Sequence, residues 1–127
     1  MMQNMLVINE KAIVNTTPHP IAFDVDGEKV LIPCDENYIL NAKAVEEPVG
    51  DDLVRTGFVG TDDGEALIKA IEESLESYAS EGRLRIVGSI IAAQAYPGRV
   101  VAMTPAKGYE RVAPAEKRMN PSKFTTF

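Results

Sequence analysis

With 127 residues, 45% of them hydrophobic and 25% charged, the chain has the length and balance of one folded domain rather than of a disordered segment. Its single cysteine, Cys34, excludes an intramolecular disulfide and a cysteine-based zinc site, and no window approaches the ~18 apolar residues that span a bilayer. A net charge of −6 argues against a DNA or RNA polymer as the partner.

Met1–Glu10 lacks the basic start and long apolar core of a signal peptide, so the cytoplasm is the expected compartment and the Asn15-Thr16-Thr17 sequon is not expected to be used. Up to Val59 the chain reads as short β-prone runs separated by turn chemistry: Lys11–Asn15, Ile21–Val25, Lys29–Pro33, Tyr38–Val45 and Leu53–Val59. Asp26-Gly27 between two apolar runs predicts a hairpin, because glycine accepts the positive φ of a tight turn. Thr17-Pro18-His19-Pro20 is barred from helix at the residues before proline and forms a stiff, extended approach to the second strand. Val49-Gly50-Asp51-Asp52 reads as a turn. Gly57 marks a bulge or close backbone approach in the strand after it.

Thr61–Ser80 carries the clearest helical pattern. Asp62 and Glu65 have capping-box spacing, Asp63 suits the helix dipole, and Leu67, Ala70, Ile71, Leu75, Tyr78 and Ala79 form one apolar stripe before Gly82 stops it. Leu84–Val87 is a short apolar run. Ile90–Tyr96 reads as a two-turn helix with Ser89 at its N-cap, and Arg99–Met103 returns as a strand. Thr104–Phe127 is a basic tail that must dock to be ordered, with a neighbouring subunit as its expected support. The fold class is therefore α+β: an antiparallel sheet packed against one long and one short helix, with an extended C-terminal tail, all in one domain over 1–127.

Charge is divided unevenly. Residues 1–81 hold 17 acids and 5 bases, whereas residues 82–127 hold 2 acids and 8 bases, five of them arginines. The arginine fork suits bidentate capture of phosphate. Two readings follow: the halves neutralise each other within or between subunits, or the basic third binds an anion.

Enzymatic motifs have simpler explanations. Phe23-Asp24-Val25-Asp26-Gly27 imitates the strand end of haloacid-dehalogenase phosphatases, but an apolar run follows the glycine at once and a hairpin explains the residues fully. The acidic spacing stops short of a calcium loop. His19 between prolines and Cys34 after Pro33 suit structural turns better than a nucleophile pair. The acidic pairs at 46–47, 51–52 and 62–63 suit solvated turns and a helix cap.

The segment from Gly88-Ser89 through Gly98 is more suggestive. A helix N-terminus there, with the Ser89 hydroxyl, could accept a phosphate near Arg83, Arg85 and Arg99, although the segment is no Walker loop or dinucleotide fingerprint. Gln94 and Tyr96 could contact a base, with Tyr96 as a core residue the alternative. Tyr109 and Arg111, in the segment Thr104–Arg111, combine an aromatic with a cation as a base-and-phosphate grip does. Arg55, between apolar Val54 and Phe58, reads as facing a site or partner. No motif implies a cofactor or a metal.

Three stretches, Ile13–Ile21 (IVNTTPHPI), Gly88–Pro105 (GSIIAAQAYPGRVVAMTP) and Tyr109–Phe127 (YERVAPAEKRMNPSKFTTF), together resemble the first type of phage Thoeris anti-defence sponge. The resemblance implies a non-enzymatic protein of the infected bacterial cytoplasm that sequesters cyclic ADP-ribose isomers, and can also bind cyclic oligonucleotides. It implies a homodimer or higher oligomer with pockets between chains. The family's basic and aromatic contacts would fall on Arg55, Arg85, Tyr96, Arg99, Tyr109 and Arg111. The competing class is a virion structural or assembly protein whose basic tail pairs with acidic faces of neighbouring subunits. An enzyme acting on nucleotides stands third.

Overall fold

In the computed structural model, which describes residues 2–127, the chain forms nine strands and three α-helices. These are β1 (Met5–Ile8), β2 (Lys11–Asn15), β3 (Ile21–Val25), β4 (Glu28–Ile32), β5 (Lys43–Pro48), β6 (Val54–Val59), α1 (Asp62–Ser74), α2 (Glu76–Ser80), β7 (Leu84–Val87), α3 (Ile90–Ala95), β8 (Val100–Pro105) and β9 (Met119–Thr125). Seven strands make one sheet in the order β1-β2-β7-β8-β9-β3-β4, and β5 and β6 stand apart as a two-stranded ribbon. Among the described residues no helix is long and apolar enough to cross a membrane.

The Asp26-Gly27 hairpin forms as its residues dictate, with both at positive φ (53° and 86°) between β3 and β4. A second turn of the same kind joins β1 to β2 through Asn9 (φ 52°) and Glu10 (φ 66°). Glutamate has no turn signature, which is why β1 is not visible in the residue pattern.

The α+β class holds, but the sheet is mixed rather than antiparallel. β2–β7, β7–β8 and β3–β9 are parallel, and β1–β2, β3–β4 and β8–β9 are antiparallel. The cause lies in the connections: α3 carries the chain from β7 back to a parallel β8, a crossover that a hairpin cannot replace. Strands so placed are covered on both faces, and Ala12, Ile13, Val14, Ile86, Val87 and Val100 are all buried.

Other boundaries move too. Tyr38–Val45 is not one strand; Glu36–Tyr38 is a 3-10 turn capped by Asp35, and β5 begins at Lys43. The long helix breaks at Leu75 (φ −120°, ψ 38°) into α1 and α2. Its cap is Thr61, whose Oγ1 accepts from Gly64 N at 3.0 Å, rather than Asp62. The tail is not simply extended: β9 lies between β8 and β3, so this part of it is an interior strand of the chain's own sheet.

The sheet also rolls. β2 and β4 are five strand spacings apart in the sheet order, about 24 Å in a flat sheet at ~4.8 Å per spacing. Yet Asn15 Nδ2, at the end of β2, lies 3.2 Å from the carbonyl oxygen of Ile32, at the end of β4. Only a sheet curled into a nearly closed barrel satisfies both. Inside the roll pack Ile8, Ile13, Ile21, Phe23, Ile32 and Val87, with Phe124 edge-on to Phe23 at 6.3 Å. Outside it, Val14, Ile86, Val100 and Ala102 meet Ile68 and Ile71 of α1 and Ala92, Ala93 and Tyr96 around α3.

Asn15 closes the roll with a full set of bonds. Nδ2 also reaches the carbonyls of His19 (2.8 Å) and Pro33 (3.3 Å), while Oδ1 accepts from Thr17 N (2.9 Å) and Thr17 Oγ1 (2.6 Å). Replacing Asn15 by Ala should therefore leave several buried groups without partners and lower stability by about 2–4 kcal/mol. Asn15→Asp, equal in size but with no N–H to donate, should lose a similar amount. Denaturant titration of both variants against the parent is the measurement; parent-like midpoints would refute a closing role.

Candidate functional site

Strand β7 separates the residues read as one site into two groups. Arg85 stands near its start and Ser89 follows its end, so the two face different cavities.

At the start of β7, a cavity of about 380 Å³ is lined by Lys11 from β2, Arg85, Gly98 and Arg99 ahead of β8, and Ser122, Phe124 and Thr126 from the returning tail. Arg85 Nη1 donates to the carbonyls of Gly82 and Leu84, both at 2.9 Å. Carbonyls hold the fork in place without cancelling its charge. Among the described residues neither Lys11 nor Arg85 has a carboxylate in ion-pair contact. No carboxylate is among the residues lining this cavity, while Glu72 lines an adjoining one that shares Leu84, Arg85, Ile86, Gly98 and Arg99 with it.

Arg99 differs. Its Nη2 donates to Glu72 Oε1 at 2.9 Å and its Nη1 pairs with Glu65, both on α1. The bond to Glu72 raises the Arg99 pKa above its ordinary value, against the opposing pull of burial. Part of its charge is thus answered within the chain. The pairs are solvent-accessible and contribute little to stability.

Tyr96 is not a stacking surface. It is 2% exposed, and its hydroxyl accepts from Thr61 N at 2.9 Å and donates to the Asn41 carbonyl at 3.2 Å. The core alternative is the correct one, and it explains two glycines: a Cβ at Gly60 or Gly64 would collide with the Tyr96 ring or hydroxyl.

The other candidates are dispersed. Ser89 caps α3, its Oγ accepting from Ala92 N at 3.1 Å, and Gln94 on the same helix is exposed. Arg55 is exposed on β6, opposite Glu47 in the ribbon, and lines neither the Arg85 cavity nor the one beyond β7. Tyr109 lies under the Arg118 guanidinium at 5.2 Å, and Arg118 Nη1 donates to Asp24 Oδ1 at 2.8 Å and to the Gly27 carbonyl at 3.1 Å. That grip fastens the tail to the β3–β4 turn. Arg111 is exposed, and neither Tyr109 nor Arg111 lines the Arg85 cavity.

A second cavity, about 590 Å³, opens beyond the end of β7. Its apolar wall includes Pro18, Pro20, Ile21, Leu31, Met103 and Met119, and its polar groups are Thr17, His19, Lys29, Ser89 and Lys117. Among the described residues no group of three or more His, Cys, Asp and Glu side chains is placed to hold a metal ion.

Residue patterns found Arg85 and Arg99 but missed Lys11, Ser122, Phe124 and Thr126. Lys11 stands in the acid-rich half, and the other three reach the cavity only because the tail folds back as β9. Comparison of the chain with protein families, with curated proteins and with solved structures finds no match.

The packing of Tyr96 makes a prediction that reverses helix propensity. Gly64→Ala in α1 would ordinarily stabilise by about 1 kcal/mol. Here it should destabilise by about 1–3 kcal/mol, because the added methyl overpacks against the Tyr96 hydroxyl. A fall in Tm on thermal unfolding is the expected result, and a rise would show that Tyr96 is free to move.

Proposed function

We propose that the protein binds a small anionic ligand of the cyclic nucleotide class in the Lys11–Arg85–Arg99 cavity and holds it unchanged. The observation that carries this reading is the pair of cations, Lys11 and Arg85, that line a cavity without a carboxylate and have no ion-pair partner among the described residues. With Nη1 given to two carbonyls, Arg85 keeps the Nε–Nη2 edge of its fork for a phosphate. Ser122 and Thr126 add hydroxyls, and Phe124 supplies an apolar wall. The volume falls in the range of small-molecule sites, roughly 300–1,000 Å³.

Sequestration without turnover is supported by what lines the cavity. Cleavage needs a positioned acid and base. His19 lies in the other cavity, Asp24 is held by Arg118, and Asp26 turns a hairpin. The choice of cyclic ADP-ribose isomers within the anionic class rests on the resemblance to anti-defence sponges. On that reading the protein acts as a homo-oligomer in the cytoplasm of an infected bacterium. The assembly-protein reading is favoured by a different observation, the exposed apolar β5–β6 ribbon.

Incubating the protein with cyclic ADP-ribose isomers, denaturing it by heat and analysing the released ligand tests the proposal. The ligand should be taken up and returned unaltered. Arg85→Ala should weaken binding roughly 10- to 100-fold, the effect of one lost charge-assisted contact. Altered ligand, or no uptake of any isomer, overturns it. Arg85→Ala that damages assembly while sparing binding favours the structural reading instead.

A further inference from the structure

We propose that the β5–β6 ribbon of one copy seats in the apolar groove beyond the end of β7 on a second copy of the same chain.

The ribbon is a projecting arm. Its strands pair in antiparallel register from Lys43↔Val59 to Pro48↔Val54, and a bond from Val49 N to the Leu53 carbonyl (2.9 Å) closes the tip. Every residue of both strands is exposed except Phe58, which is half-buried. Val45 and Val59 lie on one face by alternation, beside Lys43 and the Glu47–Arg55 pair; Val54 (51% exposed) lies on the other face with Pro48, and Val49 and Leu53 (62%) make the tip apolar. An isolated two-stranded ribbon is marginal in water, and apolar strands left uncovered invite association. Its main support within the chain is where β6 meets α3.

The groove has the complementary character. Leu31, 54% exposed on the edge strand β4, joins Ile21, Met103 and Met119 in its wall. Its charged groups are Lys29 and Lys117, with no carboxylate in the lining. The arm carries Glu46, Glu47, Asp51 and Asp52 against Lys43 and Arg55, and Arg55 stands directly opposite Glu47. The excess acid therefore gathers toward the tip. An apolar, acidic arm and an apolar, basic groove occur on one chain, which is the requirement for self-association. Reciprocal exchange closes a two-fold dimer with two arm–groove contacts.

This contact leaves the Lys11–Arg85–Arg99 cavity untouched, so its loss is distinguishable from loss of ligand binding. Sedimentation velocity of the full chain should give a mass above the monomer at about 100 µM, where a contact of micromolar affinity is filled. Leu53→Asp on the arm and Leu31→Asp in the groove should each weaken association at least ten-fold with unchanged far-UV circular dichroism. Mixing the two variants should restore heterodimers, because one keeps its groove and the other its arm. The double reversal Asp51→Lys, Asp52→Lys, at exposed turn positions without a cross-strand partner, should also weaken association. A monomeric parent protein, or variants that associate as the parent does, would overturn the proposal.

Discussion

The fold depends on a sheet that is pulled into a roll, and Asn15 is the residue that pulls it. The strand order places β2 and β4 far apart, while one side chain at the end of β2 bonds to the carbonyls of Ile32 and Pro33 at the end of β4. Neighbouring bonds extend the same closure. Thr16 N and Oγ1 both donate to the Val87 carbonyl, at 2.9 and 2.7 Å, and the Leu40 amide donates to the Thr16 carbonyl at 3.1 Å. The Asn15–Thr17 segment thus joins β2, β4, β7 and the chain leading to β5. A buried polar cluster of this kind is stabilising only when its bonds are complete, since each unpaired group costs about 1–3 kcal/mol.

Rolling the sheet decides where function can reside. The buried residues of β2, β7 and β8 are committed to packing, and the accessible side chains, Lys11 and Arg85 among them, stand toward the strand ends. One end holds Lys11 and Arg85, with Ser122 and Thr126 brought back by the tail. The other holds Ser89, His19 and the two lysines of the apolar groove. The two cavities share no lining residue, and β7 lies between them. A ligand at the first therefore need not compete with a partner at the second.

Local chemistry was legible and long-range pairing was not. Asp26-Gly27 gave its hairpin because two residues suffice to set a turn. The stripe of α1 and the Ser89 cap of α3 were readable for the same reason, with every determinant inside a few residues. Thr61 shows the limit: both it and Asp62 are competent caps, and only the backbone decides between them. β9 was opaque because Met119–Thr125 contains a proline, a serine and a lysine, and it becomes a strand through partners more than ten residues away in sequence. Parallel pairing was equally hidden, since alternation of residue types does not record which strand lies beside which. In the candidate site, arginine spacing pointed to Arg85 and Arg99, but nothing near Lys11 announced that it would join them. Tyr96 was misleading, because a buried tyrosine with a bonded hydroxyl and an exposed stacking tyrosine look alike in sequence.

The uneven division of charge looks different once the fold is known. Arg99 meets Glu65 and Glu72, Arg118 meets Asp24, and Arg83 meets Glu81. Three of the eight bases of residues 82–127 are thus paired with acids of residues 1–81, the part of the neutralisation reading that one molecule supplies. The remainder is what can act on other molecules. Among the described residues Lys11 and Arg85 have no ion-pair partner at one end of the roll, Lys29 and Lys117 line the groove at the other, and four acids ride on the arm. Net charge, which is set by all of these together, conceals that arrangement. A chain of overall negative charge can present two local cationic surfaces when its acids are drawn into ion pairs or carried away on a projecting ribbon. The acidic total therefore bears on nucleic-acid polymers, which sense the whole surface, and not on a small anion that senses one cavity.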